Sequence, residues 1–262
     1  MERFNDTIRA LAQAFSRLDG CSAMAVSGSR TSQINDQASD WDIYVYRKER
    51  ILPEVRAAII GPLCDSMSID ASFFEEGDEF SKDGVYYDVM YRDEAFIQDQ
   101  IERVWVRHQP SLGYSTCFLH NLRTSRFIFD KAALATRIST LDGPYPEALS
   151  RAVIDYNRRM TSGDGEATWI RQLDLAVRRG DYVSRNHRLA TLMASYFDML
   201  FAYNRVLHPG EKKIMGYCHL LCSRLPEDFD RDIEAIYSTA YDGPVVENVE
   251  RALAHLYALI DD

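Results

Sequence analysis

The chain has 262 residues, 46% of them hydrophobic and 27% charged, enough to bury one full core or two modest ones. Its net charge of −10 argues against nucleic acid as a partner, because tracking a phosphate backbone depends on Lys and Arg neutralising phosphates. The same charge permits a cationic small substrate without demanding one, and no internal repeat or low-complexity tract is visible.

The opening MERFNDTIRALAQAF has charges early and no uninterrupted apolar stretch, so it does not read as a signal peptide. No run approaches the roughly 20 apolar residues of a membrane span. Cysteine occurs five times, at positions 21, 64, 117, 218 and 222, an odd number that points to reduced thiols and a cytoplasmic location.

Phe4, Ile8, Leu11, Ala12, Phe15 and Leu18 recur at helical spacing, which predicts an amphipathic helix over 2–18 ended by Asp19-Gly20. Residues 21–27 form a short apolar run of strand character, broken by Gly28-Ser29 and followed by the polar stretch RTSQINDQAS. Residues 40–46, DWDIYVY, are the clearest strand, with Trp41, Ile43 and Val45 on one face and Asp40, Asp42, Tyr44 and Tyr46 on the other, partly wet one. A short helix is predicted over 52–60. Residues 67–74 and 85–92 read as two strands joined by the polar link EEGDEFSKDG, hence an antiparallel pair, with Asp88 on the face of Tyr86 and Met90. A helical pattern resumes over 94–106, and 126–129 is a last short strand. The passage TLDGPYP from Thr140 looks like a linker. Beyond it the chain reads as helical, with a long helix over 182–207 stopped by His208-Pro209-Gly210 and two more over 211–223 and 244–260. The expected architecture is therefore α+β: a small mixed-sheet domain over 1–140, then an all-helical bundle over 141–262.

Asp40 and Asp42, two apart on a strand, share a face about 6–7 Å apart. An unpaired buried carboxylate is costly, so something must satisfy two like charges, and a divalent cation with oxygen ligands is the simplest candidate. Asp88 is out of place by propensity in the middle of a strand. If its strand lies beside 40–46, three carboxylates converge into a site for one or two magnesium ions, an arrangement suited to phosphoryl displacement. Gly28-Ser29 after a strand exposes backbone N–H groups and a hydroxyl; a following helix N-terminus would attract phosphate, and Arg30 adds charge. The plainer readings are a solvated edge strand for Asp40 and Asp42 and a hydrogen-bonded strand carboxylate for Asp88. Asp70, in Ser68-Ile69-Asp70-Ala71, competes for the third position and ranks second. Cys218, His219 and Cys222 find no matching ligand spacing elsewhere and read as ordinary helix residues rather than a zinc site. The acidic run from Glu75 to Glu79 reads as a solvated loop, or as an attractor of a polyamine-like acceptor.

Together, a strand, Gly28-Ser29, a ten-residue interval, Asp40-Trp41-Asp42-Ile43 and a later-strand Asp88 resemble the signature of the DNA polymerase beta-like nucleotidyltransferase superfamily. The helical second half, with Asn204, Pro209, Gly210, Lys212 and Lys213 in the form Asn-x-x-x-x-Pro-Gly-x-Lys, resembles the antibiotic-modifying branch of that superfamily. The resemblance implies a nucleoside triphosphate substrate, a magnesium cofactor and a small-molecule acceptor. The implied reaction moves a nucleoside monophosphate, AMP from ATP, to a hydroxyl of an aminoglycoside-like molecule. On this resemblance Asp40 and Asp42 bind magnesium and Asp88 is a further metal ligand or the general base. Gly28, Ser29 and Arg30 hold the phosphates, and Lys212 or Lys213 faces the triphosphate. Two alternatives stay open: transfer to a protein or a tRNA end, as in toxin–antitoxin nucleotidyltransferases, and nucleotide binding without transfer. The negative charge weighs against RNA, and three intact carboxylates weigh against a dead site. Acceptor, nucleotide base and oligomeric state are not written in these residues.

Overall fold

The computed structural model describes residues 4–31, 39–71, 76–163, 165, 167–241 and 243–262, with Ser29 described by its backbone alone. The architecture is α+β, and the chain divides into two compact units, Met1–Glu102 with Asn121–Gly143, and Arg103–His120 with Pro144–Asp262. No helix among the described residues is long and apolar enough to cross a membrane.

The first unit holds strands β1 (Cys21–Ser27), β2 (Trp41–Arg47), β3 (Ser66–Ser68), β4 (Gly77–Lys82), β5 (Val85–Asp93) and β6 (Arg126–Asp130). Helices α1 (Asp6–Phe15), α2 (Pro53–Ile60), α3 (Glu94–Gln100), α4 (Cys117–Thr124) and α5 (Leu134–Ile138) are interspersed, and a π-helical stretch over Ile101–Val106 follows α3. The strands form one mixed sheet in the order β3-β4-β5-β2-β1-β6. Its pairs are antiparallel except β2 and β5, which run parallel.

Helix α1 starts where the Asn5 side chain accepts the Ile8 N–H at 2.9 Å, a capping bond that satisfies one orphan donor. Ile8, Leu11 and Phe15 follow at helical spacing and are completely buried. They share a core with Met24 and Val26 of β1, Ile43 and Val45 of β2, and Val89 and Tyr91 of β5. Each such side chain contributes about 1.5–3 kcal/mol on burial. The alternation read from the sequence for Trp41, Ile43 and Val45 is the one observed, since these three belong to this core.

Three expectations need correction. First, β2 begins at Trp41, and Asp40 lies exposed just ahead of it. Second, Tyr44 and Tyr46 are buried rather than half wet. Tyr46 stacks on Phe127 of β6 at 5.8 Å, and the Arg92 guanidinium lies 3.9 Å from the Tyr44 ring centre. Third, most of the segment read as a polar link is strand β4, inserted between β3 and β5, so the two strands expected to pair do not. Asp83 and Gly84, both at positive φ (50° and 76°), make the two-residue hairpin turn between β4 and β5, the geometry for which Asp-Gly is suited. Within the expected strand 67–74, only Met67 and Ser68 are in β3, and residues 72–75 lie outside the described residues.

Polar chemistry hid β4 from a hydrophobic reading. Its inward residues are Phe80 and Asp78, and Asp78 is buried beside Arg56 of α2, which is itself completely buried. Arg56 lies within ion-pair distance of Asp70 (3.0 Å), Glu76 (3.2 Å) and Asp78 (3.5 Å), with its guanidinium 4.7 Å from the Tyr91 ring centre. Burial pushes the Asp78 carboxyl above the usual carboxylate range, against the pull of the Asp70 N–H, the Tyr91 hydroxyl and Arg56.

The second unit contains α6 (Glu147–Ser162), α7 (Trp169–Arg178), α8 (Tyr182–Tyr203), α9 (Ile214–Leu221), α10 (Phe229–Ser238) and α11 (Val245–Asp261). Helix α8 is its centre: Leu189, Leu192, Tyr196, Met199, Leu200 and Phe201 are all buried. Asp198, on the same helix, accepts bonds from the Ser115 N–H (3.0 Å), the Ser115 hydroxyl (2.7 Å) and the Asn157 amide (3.0 Å). Burial outweighs these donors and pushes the Asp198 carboxyl up to about 7. A carboxyl whose folded pKa is raised contributes stability that is full below its unfolded value near 3.8 and is lost as pH rises through about 7. Asp198→Asn should therefore flatten the fall in melting temperature between those two pH values. A variant whose melting temperature declines with pH as steeply as the wild type would show that Asp198 is ionised throughout.

Candidate active site

The parallel register of β2 and β5 sets Asp42 directly opposite Asp88, with Trp41 opposite Tyr87 and Tyr44 opposite Met90. Adjacent strands are about 4.8 Å apart, so the two carboxylates leave the same face of the sheet as near neighbours. The pairing extends sideways: Ser27 of β1 is opposite Asp42, and Glu79 of β4 is opposite Asp88. Ser27, Asp42, Asp88 and Glu79 thus form one lateral row on the face away from the α1 core.

Gly28 closes one side of this row. It has φ +75°, and a Cβ placed on it would fall 1.7 Å from Asp42 Oδ2. Glycine is required twice over, once for the left-handed backbone and once for the close approach of the carboxylate. The backbone of Gly28–Arg30 is a three-residue 3-10 turn rather than the start of an α-helix, with the Gly28 carbonyl taken by the Thr31 N–H and hydroxyl. The Ser29 hydroxyl lies outside what the structure describes. Arg30 donates to the Ser39 carbonyl at 2.7 Å, and its guanidinium sits 4.5 Å from the Trp41 ring centre.

A hollow of about 410 Å³ opens beside the carboxylate pair, lined among others by Asp42, Asp88, Glu79, Tyr44, Met90 and Arg92. Asp40 does not line it. Asp70 is drawn off by Arg56, which removes it as a rival for the third position. Lys212 and Lys213 belong to the second unit, where α9 begins after them and Lys213 takes a left-handed backbone (φ 56°) as the residue preceding its first turn.

Three site residues escaped sequence reading. Glu79 sat inside the segment read as a link. Arg92 lies four residues after Asp88, on the same strand face, and strand parity could have found it. Asn121 of α4 donates to the Tyr44 and Ser27 hydroxyls and accepts from Arg92, and no local pattern in the sequence marks it.

Among the described residues, no three His, Cys, Asp or Glu side chains are gathered closely enough to hold a metal ion by themselves. Magnesium is commonly held by one or two carboxylates together with waters and substrate phosphates. A pair of opposed aspartates at the mouth of a hollow, with a third aspartate two residues away on the chain, is an oxygen donor set that fits a cation arriving with a triphosphate.

No family model matches the chain, and no curated protein matches it. Among solved structures, a nucleotidyltransferase-like protein from Exiguobacterium sibiricum 255-15 aligns over 97% of this chain and 73% of its own, with 10% identity and a TM-score of 0.46. A spectinomycin adenyltransferase AAD(9) from Enterococcus faecialis, solved with ATP and spectinomycin, aligns over 96% and 97%, with 13% identity and a TM-score of 0.33.

Gly28→Ala should be destabilising by at least ~1–3 kcal/mol, the cost of a left-handed non-glycine residue before the clash with Asp42 is added. Urea unfolding measures it. A variant with the wild-type midpoint and slope would mean that Gly28 and Asp42 do not approach each other as described.

Proposed function

We propose that the first unit is a magnesium-dependent nucleotidyltransferase site that moves a nucleoside monophosphate, AMP from ATP, to a hydroxyl of a small-molecule acceptor. The observation that carries this reading is the in-register opposition of Asp42 and Asp88 beside Gly28 and above a hollow. Asp42 and Asp88, with Asp40 at the leading end of β2, are the residues that would hold magnesium. Bound there, the ion would offset negative charge on the triphosphate and the departing pyrophosphate.

The chain's own residues supply the rest. The backbone at Gly28-Ser29 and the Ser29 hydroxyl hold phosphate oxygens, and Arg30, braced by Trp41 and Ser39, adds positive charge at the same turn. The acceptor occupies the hollow on the β4 side. Asp88 orients its hydroxyl and takes the proton as the oxygen bonds to the α-phosphorus and the bond to pyrophosphate breaks. Arg92, fixed against Tyr44, places a guanidinium in the wall of a hollow otherwise rich in carboxylates.

Labelled ATP with magnesium and a small-molecule extract separates transfer from binding alone. Wild-type protein should release pyrophosphate and leave label on an acceptor, while Asp42→Asn should do neither and melt at or above the wild-type temperature, since a charge is removed from a like-charged pair. Magnesium with ATP should also raise the melting temperature more than ATP alone, because ligands that bind the native state stabilise it by mass action. Transfer at the wild-type rate by Asp42→Asn, or an equal thermal shift without magnesium, would overturn the assignment.

A further inference from the structure

We infer that Asn121 is a positioning residue for the carboxylate pair, its one side-chain amide tying together the strands that lead to Gly28 and carry Asp42 and Asp88. This rests on the reading of Asp42 and Asp88 given under the proposed function. Asn121 Nδ2 donates to Ser27 Oγ at 3.1 Å and to Tyr44 Oη at 3.3 Å, and its Oδ1 accepts from Arg92 Nη1 at 2.9 Å. Ser27 is the last residue of β1 and the neighbour of Gly28. Tyr44 is two residues after Asp42 on β2, and Arg92 is four after Asp88 on β5, so strand parity puts each on the same face as its carboxylate.

Both amide protons and the amide oxygen are thereby used, each on a different strand. An amide suits this job because its two donors and its acceptor diverge from one planar group. The tie is doubled by the Ser27 hydroxyl, which donates to the Asn121 carbonyl at 3.1 Å, and by the Arg92 guanidinium on the Tyr44 ring at 3.9 Å. The backbone ladder holds neighbouring strands at their usual separation, but sheets twist, and the twist varies from pair to pair. Ser27 and Asp42 lie at strand ends, where the ladder stops, so a side-chain tie one step inside them sets how Gly28, Asp42 and Asp88 face one another. Partners that orient metal ligands without touching the metal commonly change metal affinity by about ten- to a hundredfold.

The test uses the whole chain and three variants. Asn121→Leu keeps size and removes every hydrogen bond. Asn121→Asp keeps an acceptor for Arg92 and lets the Ser27 and Tyr44 hydroxyls donate to it. Tyr44→Phe cuts a single tie. Two readouts are taken: amide proton–nitrogen shifts of Gly28, Asp42 and Asp88 without ligand, and uptake of Mn²⁺ in the presence of ATP, followed by loss of the free-ion paramagnetic resonance signal. Asn121→Leu should move all three amides and weaken Mn²⁺ uptake about tenfold or more, while Asn121→Asp restores most of both. A folded Asn121→Leu with wild-type amide shifts overturns the inference, as does failure of Asn121→Asp to restore them. If Asn121→Leu does not fold, Tyr44→Phe decides: movement of the Gly28 and Asp88 amides, on other segments, supports the tie, and their constancy overturns it. A wild-type protein that takes up no Mn²⁺ with ATP would sink the metal reading by itself, since the amide shifts judge the positioning without any metal.

Discussion

The site depends on β2 and β5 lying parallel in one register. Parallel neighbours cannot be joined by a tight turn; the chain must cross over through a dozen or more residues. Here the crossover runs through α2, β3 and β4, and Arg56 pins it. A completely buried guanidinium would be very costly alone, so its surroundings had to supply carboxylates, and Asp70, Glu76 and Asp78 do so from the segment between β3 and β4. Asp78 in turn accepts the Tyr91 hydroxyl at 2.8 Å, which joins the network to β5. Helix α2 and strands β4 and β5 are thus bound by charge on the face opposite the candidate site. A slip of β5 by one residue would both break this network and separate Asp88 from Asp42.

The two faces of the sheet divide the work. One is apolar and covered by α1 and α2, with Met24, Val26, Ile43, Val45, Val89 and Tyr91 in its core. The other carries the lateral row of Ser27, Asp42, Asp88 and Glu79. Strand β1 contributes small residues to that second face, Ala23, Ala25 and Ser27, and then Gly28, so the chain backbone itself meets the Asp42 carboxylate. Groups mounted on a packed sheet need little rearrangement to meet a substrate, which is the condition under which fixed charges act most strongly on a transition state.

The second unit gives a physical account of most of the Asn-x-x-x-x-Pro-Gly-x-Lys pattern. Asn204 accepts the Arg224 N–H at 3.0 Å and donates to the Arg224 carbonyl at 2.9 Å, closing the loop that contains α9. His208 is completely buried, its N–H donating to the Thr116 hydroxyl at 2.8 Å and its Nδ1 accepting the Gly210 N–H at 3.0 Å. Gly210 has φ +100°, a conformation open to glycine and few others. Burial pushes the His208 ring down to about 3, so it stays neutral and keeps Nδ1 available as an acceptor. Asn204, His208 and Gly210 thus have structural work of their own in shaping the turn that precedes Lys212 and Lys213.

By itself the sequence determined the elements whose partners are near in the chain and whose pattern is apolar: α1, β1, β2 and α8, and which residues of β2 share a face. Backbone periodicity alone sets that parity, so Asp42 and Tyr44 could be placed on one side before any fold was known. The Gly28-Ser29 break and the two aspartates of DWDIYVY were legible for the same local reason. Only the tertiary structure decided what lies beside what. The charged strand β4 is stabilised by Arg56, remote in sequence, and so carried no apolar signal. Asp88 was a candidate by its odd place in a strand, but its opposition to Asp42 comes from the lateral order of strands, which no one-dimensional period encodes. Asp70, equal to it on the page of sequence, was excluded by an ion pair on the other face. Arg92 and Asn121 joined the site because three strands bring their neighbours to one amide, and hydrogen bonds between residues up to 94 positions apart leave no trace in local pattern.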